Sequence, residues 1–399
     1  MSRINKENLG VGTLEISAQA RRYIKKVLDT RRLSYGPFIQ RFERELSKAH
    51  GLKFGVMVNS GTSALRMAVA CLKELHGWHD GDEIIVPAVT FVATANVVVD
   101  HNLKPVFVDV DPVTYNIDPA KIEKRITKKT KAIMVVHLFG QPAEMDPILK
   151  IARKYKLKII EDSAETMFVK YKGTPVGSFG DIACFSTYVA HLIVTGVGGV
   201  VATNNRRYAE VLRSLANHGR DNIYISIDDD KGKKGKQLQQ IIARRFSFVR
   251  PGYSFRVTEL EGALGCAQLE IAADILKQRR RNGEYLIKGL SQLGDRIQLP
   301  SWPKYKGHAF MMFPIVIRNG GGVSKAKLTQ YLEERGIETR DMLPLINQPY
   351  YRKTFKIKQS DYPIADWINR YGFYIGCHQQ MRKTELDYII KTFVRYFEK

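Results

Sequence analysis

The chain has 399 residues, 44% hydrophobic and 26% charged, which suits a globular protein with more than one folded unit. No apolar run reaches the roughly 18 residues of a membrane span, and the N-terminal MSRINKENLG lacks the apolar stretch of a signal peptide, so neither a membrane partner nor export is expected. The net charge of +23 is dispersed along the chain and no nucleic-acid motif accompanies it, so it reads as a solvated surface, the other reading being an anionic partner such as a nucleotide-linked substrate. From about residue 54 the apolar pattern alternates between strand and helix periods. Strands are predicted at 54–59, 82–87, 105–109, 131–138 and 157–161, and helices at 63–75, 91–99 and 145–155. The strand runs are short and nearly continuously apolar, as expected of parallel strands covered on both faces. Repeated βα units imply an α/β sheet with right-handed crossovers. Two further strands are predicted close together at 181–186 and 198–202. Residues 221–252 break the pattern with a charge block and a basic run, a surface excursion whose functional alternative is a substrate-gripping loop. A long helical stretch is expected over 259–290, then a strand at 308–318 and helices at 324–335 and 384–397. The organisation so read is a large unit over 1–260 with an N-terminal arm over 1–35, a connecting helix over 261–290, and a smaller α+β unit over 291–399.

Four segments carry residues suited to chemistry. Ser60-Gly61-Thr62-Ser63 lies between a strand and a helix, where free backbone N–H groups bind phosphate and where Ser is also an ordinary helix cap. Glu161-Asp162-Ser163-Ala164-Glu165 ends a predicted strand, the edge at which open α/β sheets bind ligands, though an Asp there also caps helices. Phe185-Ser186-Thr187-Tyr188-Val189-Ala190-His191 is followed by the glycine cluster Thr195-Gly196-Val197-Gly198-Gly199; alone, His191 reads as an ordinary satisfied histidine. Tyr253-Ser254-Phe255-Arg256-Val257-Thr258 precedes the long helix, and Thr258 with Glu261 resembles a capping box. The four cysteines, Cys71, Cys184, Cys266 and Cys377, are far apart, which argues against a zinc or iron–sulfur motif and fits reduced thiols in a cytoplasmic enzyme.

In order and spacing these segments, with PAVTFVATAN near 90 and GSFGDIACFS near 180, resemble the DegT/DnrJ/StrS aminotransferase family over nearly the whole chain. The resemblance implies the fold-type-I, aspartate aminotransferase-like architecture of pyridoxal-phosphate enzymes, and a homodimer with sites at the interface. It implies that Gly61 and Thr62 form the phosphate turn, that Phe91 stacks on the pyridine ring unless it is core, and that Asp162 pairs with the ring nitrogen. Glu165 falls where the family's aminotransferases usually carry Gln or His, Ser186 matches a phosphate-binding hydroxyl, Ser254 replaces an asparagine reaching the partner's phosphate, and Arg256 matches a basic position near it.

His191 occupies the position of the family's imine-forming lysine. Imidazole forms no stable imine, but with an ordinary pKa of about 6.5 it moves protons well near neutral pH. The same exchange marks the family's pyridoxamine-phosphate sugar 3-dehydratases, and the absence of clustered cysteines favours the branch without an iron–sulfur centre. The implied reaction removes the C3 hydroxyl of a nucleotide-diphosphate 4-keto-6-deoxy sugar, with His191 as base and glutamate restoring the amine form of the cofactor. The competing expectations are a nucleotide-sugar aminotransferase and a cofactor-binding relative without catalysis. Val197 in place of a glutamate, the aliphatic residues after His191, and the acidic-then-basic run at 228–236 depart from the family pattern.

Overall fold

The computed structural model describes residues 8–221, 230–318 and 323–398. The strands are β1 (Phe54–Val58), β2 (Glu83–Pro87), β3 (Lys104–Val108), β4 (Thr130–Val136), β5 (Lys158–Asp162), β6 (Lys170–Tyr171), β7 (Thr174–Pro175), β8 (Ile182–Ser186), β9 (Gly199–Thr203), β10 (Ile297–Gln298), β11 (Met312–Ile317), β12 (Thr339–Asp341) and β13 (Gly372–Gly376). The helices are α1 (Ala18–Thr30), α2 (Pro37–Ala49), α3 (Gly61–His76), α4 (Val92–Val99), α5 (Pro119–Ile122), α6 (Met145–Tyr155), α7 (Arg206–Ala216), α8 (Gly235–Arg244), α9 (Glu259–Glu270), α10 (Ala272–Leu290), α11 (Lys325–Glu333), α12 (Pro349–Phe355), α13 (Pro363–Tyr371) and α14 (Lys383–Phe397).

A seven-stranded sheet has the order β1-β9-β8-β5-β4-β2-β3. Its strands pair in parallel except for β9, which runs antiparallel to both neighbours. Strands β2 and β8 are buried at every position, as the continuous apolar runs require when helices cover both faces. Helix α3 starts where the Ser60 side chain accepts the Ser63 N–H, and stops at Gly77 in the left-handed region. A second sheet, β10-β11-β13-β12, is antiparallel throughout and packs its own apolar cluster against α10, α11 and α14.

The α/β architecture expected from the sequence is present. Two local expectations need correction. The long helix over 259–290 is two helices: at Ile271 the backbone leaves helical values (φ −111°, ψ 8°) and its N–H turns back to Gln268. No Pro or Gly marks the break, so periodicity could not show it. The arm over 1–35 holds helix α1, and the strand expected over 308–318 is confined to β11. The excursion at 221–252 lies outside the described residues over 222–229; beyond them it includes α8. No helix among the described residues is long and apolar enough to cross a membrane.

Candidate active site

The C-terminal ends of β1, β2, β4, β5 and β8 open onto one cavity of about 390 Å³, at the sheet edge where α/β folds bind ligands. Gly61, Thr62, Phe91, Asp162, Glu165, Ser186 and His191 all line it.

At one end the first turn of α3 meets β8. A Cβ on Gly61 would lie 2.7 Å from the Cβ of Ser186, so only glycine lets the helix start and this hydroxyl come together. The first N–H groups of a helix have no partner within it and carry its positive end, so Gly61, Thr62 and the Ser186 hydroxyl form an anion-binding corner.

Asp162 ends β5 at the floor. Thr94 of α4 donates to its Oδ2 at 2.9 Å, and the Ala164 N–H donates to Oδ1 at 3.2 Å. Because Thr94 donates there, its 2.8 Å contact with Thr90 is completed by the Thr90 hydroxyl as donor. Burial raises the Asp162 pKa above the ordinary carboxylate value, against the hydrogen bonds that lower it, which favours a cationic group beside it. Glu165 accepts the Phe139 N–H at 2.8 Å; burial, seconded by the Asp162 charge, pushes it up to about 7. Phe91 is 55% exposed, so it faces the cavity mouth and is not core.

His191 sits on the loop between β8 and β9. Its N–H closes a turn on the Tyr188 carbonyl at 2.9 Å, and Thr187 and Thr195 clamp the loop's base through a 2.6 Å hydroxyl pair. The aliphatic residues that follow are structural: Leu192, Ile193 and Val194 are buried, each contributing about 1.5–3 kcal/mol by burial. They anchor the loop and leave the imidazole at the cavity wall. Burial, then the positive charge of Arg279, lowers the His191 pKa to about 4, so the ring is neutral at pH 7. Arg279 is fully buried; its Nη1 donates to the carbonyls of Phe310 (3.2 Å), Met311 (3.0 Å) and Cys377 (3.3 Å), fixing the wall that bears Met311. No lysine is among the described residues lining the cavity.

Ser254 and Arg256 do not line the cavity of their own chain. Ser254 bridges to Asn217, and Arg256 Nη2 contacts His218 Nε2 at 3.0 Å and Ser254 Oγ at 3.1 Å, at the surface. Thr258 and Glu261 do form the capping box of α9. The sequence reading missed Thr94, whose hydroxyl pairs with that of Thr90 at 2.8 Å, and Tyr188, whose ring centroid lies 6.3 Å from that of His191. It also missed the roof of Met311, Met312, Leu343 and Tyr374, brought over by the second sheet and stitched down where the Thr90 N–H meets the Leu343 carbonyl at 2.9 Å.

Comparison with known proteins identifies the family. Residues 15–394 match the DegT/DnrJ/EryC1/StrS aminotransferase family, and the chain belongs to it. It is 33% identical over 384 residues to the GDP-perosamine synthase of Caulobacter vibrioides, covering 96% of each chain. It superposes on the Escherichia coli GDP-4-keto-6-deoxy-D-mannose-3-dehydratase with bound hydrated PLP at a TM-score of 0.88 and 28% identity, over 97% of this chain and 99% of that one. A GDP-4-keto-6-deoxymannose-3-dehydratase with a trapped PLP-glutamate geminal diamine gives a TM-score of 0.86 at 27% identity, over 97% of this chain and 99% of that one.

Proposed function

We propose that this protein is a pyridoxamine-phosphate-dependent dehydratase that removes the C3 hydroxyl of a nucleotide-diphosphate 4-keto-6-deoxy sugar, using glutamate to restore the amine form of the cofactor. The observation that carries the reading is the imidazole of His191 at the wall of a cavity that no lysine lines among the described residues.

The residues present fit the cofactor. The Gly61–Ser186 corner, whose close approach a Cβ would fill, takes the phosphate, and Phe91 offers an exposed aromatic face to the ring. Asp162 takes the protonated ring nitrogen, which would return its carboxylate to the charged form. When bound, the cofactor supplies an amine for the sugar ketone and a ring that accepts electrons. The chain's residues do the rest. Asp162, oriented by Thr94, keeps the ring nitrogen protonated. Neutral His191 accepts a proton and, as imidazolium, can hand it to the departing hydroxyl. Met311, Met312, Leu343 and Tyr374 roof the cavity against water. The relative holding a PLP-glutamate species supports glutamate as donor, and the 3-dehydratase relatives support the substrate class.

The test supplies purified protein with pyridoxal phosphate, glutamate and GDP-4-keto-6-deoxymannose. Ammonia and a 3-deoxy sugar are the expected products. A stable 4-amino sugar would instead establish an aminotransferase, the activity of the perosamine synthase relative, and cofactor binding without turnover would establish a non-catalytic relative. His191→Lys is expected to create an imine absorbance near roughly 400 nm and to abolish dehydration. Dehydration at an unchanged rate would remove His191 from the mechanism.

A further inference from the structure

Residues 8–15 run as an extended strap from the second sheet to the His191 loop. At one end Leu9 pairs with the segment leading into β12: its N–H donates to Gly336 O at 2.7 Å, and its carbonyl accepts the Glu338 N–H at 3.1 Å. The Val11 N–H donates to Glu338 Oε2 at 2.7 Å, and the Thr13 hydroxyl donates to Gln380. Gly10 lies against the end of β13, where a Cβ on Gly376 would come within 2.2 Å of its carbonyl oxygen. At the other end Gln268 of α9 donates to Glu15 O at 2.9 Å. Between these anchors Gly12 presses on the loop just before the imidazole. A Cβ there would lie 2.8 Å from Ala190 Cα and 3.2 Å from Val189 O.

We propose that Gly12 is a positioning residue: the strap, held at both ends, is a backstop that fixes Val189–Ala190 and so holds His191 at the cavity wall. The inference rests on the assignment of His191 as the base. The physical case is one of contact. The loop's far side is fixed by the buried Leu192–Val194 run and its base by Thr187 and Thr195, but Tyr188 and Val189 are 51% and 37% exposed. The backbone of Gly12 lies close against Val189–Ala190. Real Cβ atoms essentially never approach a heavy atom within 3.0 Å, so any side chain at position 12 must move either the loop or the strap. The strap is tied by two backbone hydrogen bonds at Leu9 and by the Gln268 side chain at Glu15, whereas among the described residues neither Val189 nor Ala190 makes a backbone hydrogen bond, so the loop yields.

Gly12→Ala and a variant lacking residues 1–14 perturb the backstop in opposite ways, by pushing and by removal. Both are expected to speed amide hydrogen exchange in 187–191 about tenfold while leaving the β5 and β9 peptides unchanged. In Gly12→Ala, kcat is expected to fall about tenfold, with KM and pyridoxamine phosphate affinity within about twofold of the parent, because the strap's hydrogen bonds go to Gly336, Glu338, Gln380 and Gln268 rather than to the phosphate corner or Asp162. The His191 titration, followed by NMR, should rise from about 4 toward its ordinary value as the loop opens. Unchanged exchange in 187–191 in both variants overturns the proposal whatever the reaction proves to be. Faster exchange with the parent's kcat in an active enzyme overturns the positioning role. If the parent shows no dehydration, exchange and titration still decide the strap, while the reading of His191 as base fails separately.

Discussion

Glu165 and Asp162 are two buried carboxylates three residues apart, with opposite demands on charge. A cationic ring nitrogen would favour the charged form of Asp162. Glu165 gains nothing comparable: it accepts one backbone N–H from Phe139 and otherwise faces burial and a like charge, which put it at about 7. The sign of the linkage follows. A carboxylate raised from its ordinary value of about 4.5 stabilises the fold while protonated, and that contribution is lost as pH rises through about 7. Glu165→Gln keeps an oxygen for the Phe139 N–H and removes the ionisation. The variant should match the parent near pH 5 and exceed it at pH 8, by no more than about 3 kcal/mol. Denaturant midpoints across that range check this, and an advantage that is flat with pH would show that Glu165 titrates normally.

At the scale of elements, one carboxylate ties two helix ends together. Glu259 opens α9, yet its side chain caps α2, accepting the N–H groups of Gly36 (2.7 Å), Phe38 (2.9 Å) and Ile39 (3.0 Å) while 1% exposed. Gly36 gives α2 no side-chain cap of its own. Glu259→Ala leaves three buried donors unpaired and should cost about 3–5 kcal/mol, with Glu259→Gln intermediate, read from denaturant unfolding. A loss under about 1 kcal/mol would mean that water replaces the cap. In the sequence Glu259 was legible only as the start of a helix, because a capping contact more than 200 residues away leaves no local trace. The same limit separates what was readable from what was not. The strands of the large sheet were legible because burial on both faces writes continuous apolar runs, and α6 because its apolar stripe is strong. Helix α1 was not: only Ala20 and Val27 are buried, too few to write an apolar stripe. Strand β13 is five residues that begin and end with glycine and is fixed by pairing with β11 and β12, not by its own pattern. The cavity floor was legible for a related reason. The C-terminal ends of parallel strands are adjacent in space, so motifs that end strands converge, whereas the roof of Met311, Met312, Leu343 and Tyr374 depends on how the second sheet docks.

At the scale of the molecule, Ser254 and Arg256 pose a question that one chain cannot answer: a hydroxyl and a guanidinium stand together at the surface, away from the cavity their motif was expected to serve. A two-fold dimer resolves this if each chain's Arg256 reaches the other's cavity, since an isologous contact gives both sites the same complement. Arg256→Ala should then weaken cofactor binding roughly 10- to 100-fold, the loss of one charge-assisted hydrogen bond to a phosphate. The sharper consequence concerns mixtures. A dimer of one His191→Asn chain and one Arg256→Ala chain has one site with both defects and one with neither. Random pairing makes half the dimers mixed, so co-refolding two nearly inactive variants should restore about one quarter of the parent's ammonia release. Sites contained within single chains would yield only the sum of the two residual activities.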